Sequence, residues 1–120
     1  MKILTLRQAR VGDLLKQSLA ELVQRKVKDP RVEGVTITGV EVSVDLKVSR
    51  VFFCVLDPAR KDDALEGLQR AAGFLRHELS RTLRLKSVPQ LTFSYDESFD
   101  YGTKIDSILE QLERDEDKDS

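Results

Sequence analysis

Apolar residues recur at intervals of three and four over the first quarter of the chain, which is the spacing of one face of an α-helix. They are Val11, Leu14, Leu15, Leu19, Leu22, Val23 and Val27. Pro30 limits this helix, because the residue before a proline avoids helical backbone angles. The pattern predicts a long amphipathic helix from about Leu6 to Lys26.

The next segment alternates apolar and polar residues, as a β-strand does, but the alternation changes phase at Gly39. A β-bulge at that glycine would let the strand switch faces there. A turn over residues 43–47 leads into residues 48–56, which are apolar at successive positions. This second run is typical of a central strand that is flanked on both sides and covered over much of both faces.

Helical spacing resumes after Asp57-Pro58 and continues to Leu83, with Gly73 in the middle. A glycine inside a helix costs about 1 kcal/mol relative to alanine, so it often marks a kink or a close approach of backbones. The pattern predicts two helices, at about residues 60–71 and 74–84, which meet at Gly73. Gly73→Val is then expected to destabilise the protein by about 1–3 kcal/mol.

A third strand is predicted at residues 90–95, where clean alternation is typical of an edge strand with one face in water. Apolar residues at helical spacing between Ile105 and Leu112 indicate a short C-terminal helix. This order predicts an α+β fold, a two-layer sandwich in which helices cover one face of a three-stranded mixed sheet. Residues 1–113 are expected to form one domain, followed by an acidic, disordered tail at residues 114–120.

Charge is divided unequally along the chain. Residues 1–93 carry 17 Lys/Arg against 11 Asp/Glu, whereas residues 94–120 carry 3 against 10. A basic body suits a phosphate backbone, because neutralising phosphates releases their counterions. The candidate RNA-binding residues are Arg7, Arg10, Lys26, Lys28, Arg31, Arg70, Arg76, Arg81, Arg84 and Lys86. For any one of them, a solvated helix face remains the alternative.

The aromatic residues do not indicate that this protein recognises individual RNA bases. The chain has no Trp, and the expected core-facing positions include Phe52, Phe53, Phe74, Phe93 and Tyr95. RNA-binding modules that read single strands present exposed aromatic rings. We therefore expect recognition of folded RNA shape.

Catalytic chemistry is not predicted either. Cys54 is the only cysteine, which excludes an internal disulfide and a cysteine-based zinc site, and His77 is the only histidine. No nucleophile–histidine set and no phosphate-binding loop is evident. We expect no enzyme activity, no cofactor and no metal. No apolar run approaches the ~18 residues of a membrane span, so we expect a cytoplasmic protein with no membrane partner.

Six short segments, in this order along the chain, resemble the bacterial ribosome-binding factor A family. They are Lys28-Asp29-Pro30-Arg31-Val32, Val42-Ser43-Val44-Asp45-Leu46, Ala71-Ala72-Gly73-Phe74-Leu75-Arg76, Leu83-Arg84-Leu85, Val88-Pro89-Gln90-Leu91 and Tyr95-Asp96-Glu97-Ser98. The resemblance implies a type II K-homology-like fold. It also implies that a kink at Ala71, Ala72 and Gly73 stands where other K-homology domains have a Gly-x-x-Gly loop.

The same resemblance implies an assembly factor without catalytic activity. Such a factor would bind the immature small (30S) ribosomal subunit and its 16S rRNA. It would assist late maturation, including processing of the 16S rRNA 5′ end. A link with growth in the cold, release by an assembly GTPase and a monomeric state are also expected. A protein-interaction module that docks on an acidic protein surface remains the alternative function.

Overall fold

The computed structural model describes residues 4–98. It contains two long helices, α1 and α2, and three strands, β1 to β3, with a 3-10 turn before β1 and another before α2. In chain order these are α1 Leu6–Arg25, the turn Pro30–Val32, β1 Val35–Val42, β2 Val48–Val55, the turn Pro58–Arg60, α2 Lys61–Thr82 and β3 Gln90–Tyr95. The predicted C-terminal helix and the predicted tail lie outside the described residues.

The sheet has the order β1-β2-β3, with β1 antiparallel and β3 parallel to the central strand β2. The predicted bulge is confirmed, since Ile37 pairs with Phe53 while Gly39 pairs with Phe52, the neighbouring residue of β2. The one extra residue in β1 returns the apolar side chains after Gly39 to the face of the sheet that the apolar side chains before it occupy. Ile37 and Val42 are therefore both buried despite their odd separation.

Both helices pack on the same face of the sheet, where Val51 and Phe53 of β2 are fully buried among helix side chains. This arrangement confirms the predicted two-layer α+β architecture. On the other face of β2, Val48 and Arg50 are exposed and Phe52 is half-buried. The expectation that β2 is covered over much of both faces is met only at its carboxyl end, where Cys54 is buried.

The start of α1 is fixed by a pair of reciprocal hydrogen bonds. The Thr5 hydroxyl accepts from the Gln8 backbone N–H (3.1 Å), and Gln8 Oε1 accepts from the Thr5 N–H (2.9 Å). Such a capping box satisfies two amides that the first helical turn leaves unpaired. The buried Gln8 Nε2 also donates to the Val42 carbonyl (2.9 Å). One side chain thus begins α1 and joins it to the end of β1.

The prediction of two separate helices at about residues 60–71 and 74–84 is wrong, because α2 continues without a break through Ala71, Ala72 and Gly73. Glycine keeps its backbone N–H, so it lowers helix propensity without removing a hydrogen bond. A Cβ atom at Gly73 would meet nothing within 4 Å. The expected loss of stability in Gly73→Val therefore has no overpacked contact to cause it.

Close approach occurs instead at Gly67, one and two-thirds turns earlier in α2. A Cβ atom there would lie 2.8 Å from Val32 Cγ2 and 3.2 Å from Arg31 Cβ. Gly67 is buried, and its missing side chain lets the 3-10 turn Pro30–Val32 lie directly against α2. This contact positions Arg31 over the helix.

Candidate nucleic-acid interface

The first group of predicted RNA-binding residues meets around Glu66 on α2. Arg31 lies 2.7 Å from an Asp29 oxygen and 3.2 Å from Glu66 Oε1, and Arg70 lies 3.3 Å from the same Glu66 oxygen. The Arg31 guanidinium and backbone N–H both donate to Asp29, and they lower the pKa of its carboxyl group to about 2. We call Asp29, Arg31, Glu66 and Arg70 the Glu66 cluster.

A second group meets around Glu78, three turns further along α2. Lys26 Nζ lies 3.1 Å from Glu78 Oε2, and Arg81 Nη1 lies 3.5 Å from Glu78 Oε1. The Glu78 side chain is only 9% exposed. Its pKa is lowered, chiefly by the hydrogen bond from Lys26. We call Lys26, Glu78 and Arg81 the Glu78 cluster, and it joins the end of α1 to α2.

Together the two clusters place four cationic side chains around three carboxylates, and the charge of exposed Asp63 also acts on Arg31. The side chains of Arg70 and Arg81 remain 71% and 65% exposed. Exposed ion pairs in water are weak, so their cations can still engage a phosphate. Lys28 is exposed in the segment that leads from α1 to Asp29.

Arg76 has a structural contact that the sequence did not predict. Its Nε and Nη2 atoms both donate to the Val88 carbonyl, at 3.1 and 2.9 Å. Arg76 therefore holds the segment that connects α2 to β3, and replacing it would disturb this segment as well as remove a charge. Arg84 and Lys86 are exposed in the same segment.

Arg7 and Arg10 are not brought to either cluster. They are exposed in the first two turns of α1. Arg10 stands 16 residues before Lys26, which is about 24 Å along a helix axis. The predicted residues thus divide between the α2 side of the molecule and the start of α1.

The expectation that Phe52, Phe53, Phe74, Phe93 and Tyr95 face the core is wrong for Phe74, which is 44% exposed. Phe52 also differs, since it is half-buried on the sheet face away from the helices. Leu68, Leu75 and Leu79 form the buried stripe of α2. Phe74 is one residue away from Leu75, which turns it about 100° around the helix. Phe74 lies on the same side of α2 as other exposed residues that are three or four positions apart. We call this set the α2 flank, and it consists of Arg70, Phe74, His77 and Arg81.

Three residues that fix the positions of α1 and α2 were not predicted from the sequence. Gln8 had a readable signal, since Thr5-Leu6-Arg7-Gln8 has the spacing of a capping box. Glu78 had a weaker one, an acidic residue three positions before Arg81. Gly67 had none, because the side chain that requires its small size comes from Val32, 35 residues earlier.

The comparisons with known proteins agree on one family. A family model described as ribosome-binding factor A matches residues 7–109. A protein named ribosome-binding factor A from Syntrophobacter fumaroxidans is 47% identical over 113 residues, which cover 92% of this chain and 97% of that protein.

One crystal structure and one fitted homology model are similar over most of the chain. The crystal structure of ribosome-binding factor A from Thermus thermophilus has a TM-score of 0.67 and 32% identity, covering 73% of this chain and 94% of that one. A homology model of the Thermus thermophilus factor, fitted into a cryo-EM map of its complex with the 30S subunit, has a TM-score of 0.66 and 30% identity. It covers 77% of this chain and 98% of that one. These likenesses confirm the expected K-homology-like fold.

Proposed function

Since this chain belongs to the ribosome-binding factor A family, we propose that it binds the small ribosomal subunit during assembly and contacts 16S rRNA. The observation that carries the proposal is the similarity to a factor fitted into a 30S complex. The cationic clusters on the α2 side support RNA as the contacted component, because guanidinium groups bind phosphates in a bidentate fashion.

The proposed mechanism is positional binding without catalysis. A protein that binds one arrangement of an immature RNA region more tightly than others shifts the population toward that arrangement. The surface is built on α2, which packs against the 3-10 turn Pro30–Val32 at Gly67 and is joined to α1 by the Lys26–Glu78 pair. Arg70 and Arg81 would then meet phosphates from neighbouring turns of one helix.

Finer features of the proposal follow from the family. Residues 1–113 would form the RNA-binding domain and residues 114–120 an acidic tail. The factor would act as a monomer in the cytoplasm, assist processing of the 16S rRNA 5′ end, and leave the subunit with the help of an assembly GTPase. Depletion of the protein should then cause 16S rRNA with extended 5′ ends to accumulate, which primer extension detects.

Sucrose-gradient fractionation of a lysate tests the binding itself. The protein is expected to travel with free small subunits, to be absent from assembled ribosomes, and to leave the subunit fractions after ribonuclease treatment. Protein that stays on ribonuclease-treated subunits would contradict RNA contact and favour docking on an acidic protein surface.

A further inference from the structure

Phe74 is an exposed aromatic ring placed among cations. Of the phenylalanines within residues 4–98, Phe53 and Phe93 are buried and Phe52 is half-buried, whereas Phe74 is exposed. On a helix surface its neighbours are the residues three and four positions away on either side. These are Arg70, Ala71, His77 and Glu78, and the Glu78 carboxylate is paired with Lys26 and Arg81. The ring therefore lies on the α2 flank between the Glu66 cluster and the Glu78 cluster.

The two carboxylates of the clusters on α2, Glu66 and Glu78, are already engaged. Glu66 pairs with Arg31 and Arg70, and Glu78 with Lys26 and Arg81. A ligand at Phe74 thus meets an apolar ring face with a guanidinium group on either side. Arg70 stands about 6 Å before Phe74 and Arg81 about 10 Å after it, measured along the helix axis.

This patch is too small for a protein interface, which buries about 800 Å² on each partner. Among the described residues, the other large apolar side chains that are exposed lie outside α2, on α1 or just before it, on β2, or in the segments that follow strands. A single ring with a cation on each side is complementary to a ligand that has a flat apolar face and a negative charge on each side of that face. An unpaired nucleotide in a strand has that chemistry, since every base has a π-face.

We propose that Phe74 stacks on an unpaired base of the bound RNA while Arg70 and Arg81 hold the adjacent phosphates. The proposal rests on the proposed function, and it adds a preference for a single-stranded segment over a duplex. In a duplex both faces of each base are already stacked, so Phe74 would gain nothing there. The sequence alone predicted recognition of RNA shape without stacking, and the exposure of Phe74 changes that expectation.

Phe74→Leu keeps an apolar side chain but removes the π-face. We expect its affinity for a short single-stranded RNA to fall about tenfold, within the range measured for base stacking. Its affinity for the corresponding duplex should change little, and Phe74→Tyr should bind the single strand as the native chain does. Thermal unfolding of each variant confirms that the fold is kept.

Tryptophan fluorescence gives a direct readout, because the chain contains no Trp. In Phe74→Trp, stacking should quench the emission when the single strand is added and not when the duplex is added. Leu56→Trp is the control, since Leu56 is 70% exposed after the end of β2 and is not part of the α2 flank. Its emission should respond to neither RNA.

The outcomes separate the two proposals. If Phe74→Leu binds the single strand as tightly as the native chain, stacking is wrong while RNA binding stands. If the variant binds 30S subunits less tightly but the single strand equally well, Phe74 docks on protein and stacking is again wrong. A native chain that binds neither RNA would overturn the RNA contact of the proposed function, and stacking with it.

Discussion

Two glycines of the same helix should respond in opposite directions to the same substitution. Gly67→Ala places a Cβ atom 2.8 Å from Val32 Cγ2 and 3.2 Å from Arg31 Cβ. Val32 is buried and its χ1 angle is restricted, so it has little room to move. Overpacking of this kind costs about 1–3 kcal/mol. The gain in helix propensity offsets about 0.5–1 kcal/mol of this cost, which leaves a net loss of up to about 2.5 kcal/mol.

Gly73→Ala is the matched control, since its Cβ atom meets nothing within 4 Å. It should gain about 0.5–1 kcal/mol from helix propensity alone. The propensity contribution cancels between the two variants, so their difference in unfolding free energy measures the contact of α2 with the turn Pro30–Val32. Urea unfolding monitored by circular dichroism should give a difference of about 1–3 kcal/mol. Equal stability of the two variants would refute this packing argument.

Three further predictions concern the helix cap and the two clusters. Gln8→Ala should destabilise by about 1–3 kcal/mol, because the buried Val42 carbonyl loses its donor; exposed Gln17→Ala is the control, and equal urea midpoints would contradict a role for the cap. Asp29→Asn tests the lowered pKa of Asp29. The native carboxylate stabilises the fold above the ordinary pKa near 3.8 and loses that effect as the pH falls through about 2. The stability difference between native and variant should thus shrink between those pH values, and a constant difference would count against the Arg31 contact. Glu78→Gln should lower the melting temperature and raise RNA affinity at low salt, because Lys26 and Arg81 lose their shared carboxylate; an unchanged melting temperature would show that the Glu78 cluster does not stabilise the fold.

Periodicity predicted the parts of the fold that depend on one face being buried. The stripe of α1, the bulge beside Gly39 and the central place of β2 all follow from which side chains must avoid water. These features are local, because the apolar spacing within one segment is enough to predict each of them. The α+β class then follows from the order of the segments.

The errors lie where the deciding partner is distant in the sequence. Gly73 looked like the special glycine of α2, but Gly67 has the close contact, and only the position of Val32 decides between them. Phe74 and Leu75 both fit the helical spacing, and the sequence could not tell which one faces the sheet. The ion pair between Lys26 and Glu78 could not be predicted either, because the two residues are 52 positions apart in the sequence.

The central claim is that the α2 flank binds the phosphates of small-subunit RNA. It is tested most directly by the salt dependence of binding to purified 30S subunits. Each lost phosphate contact lowers the slope of log affinity against log salt by about 0.7–0.9. Arg70→Gln/Arg81→Gln should lower the slope by about 1.5, whereas Lys47→Gln/Arg50→Gln, which removes equal charge from exposed positions on β2 and the turn before it, should leave the slope unchanged. Equal slopes for the two double variants would contradict the account.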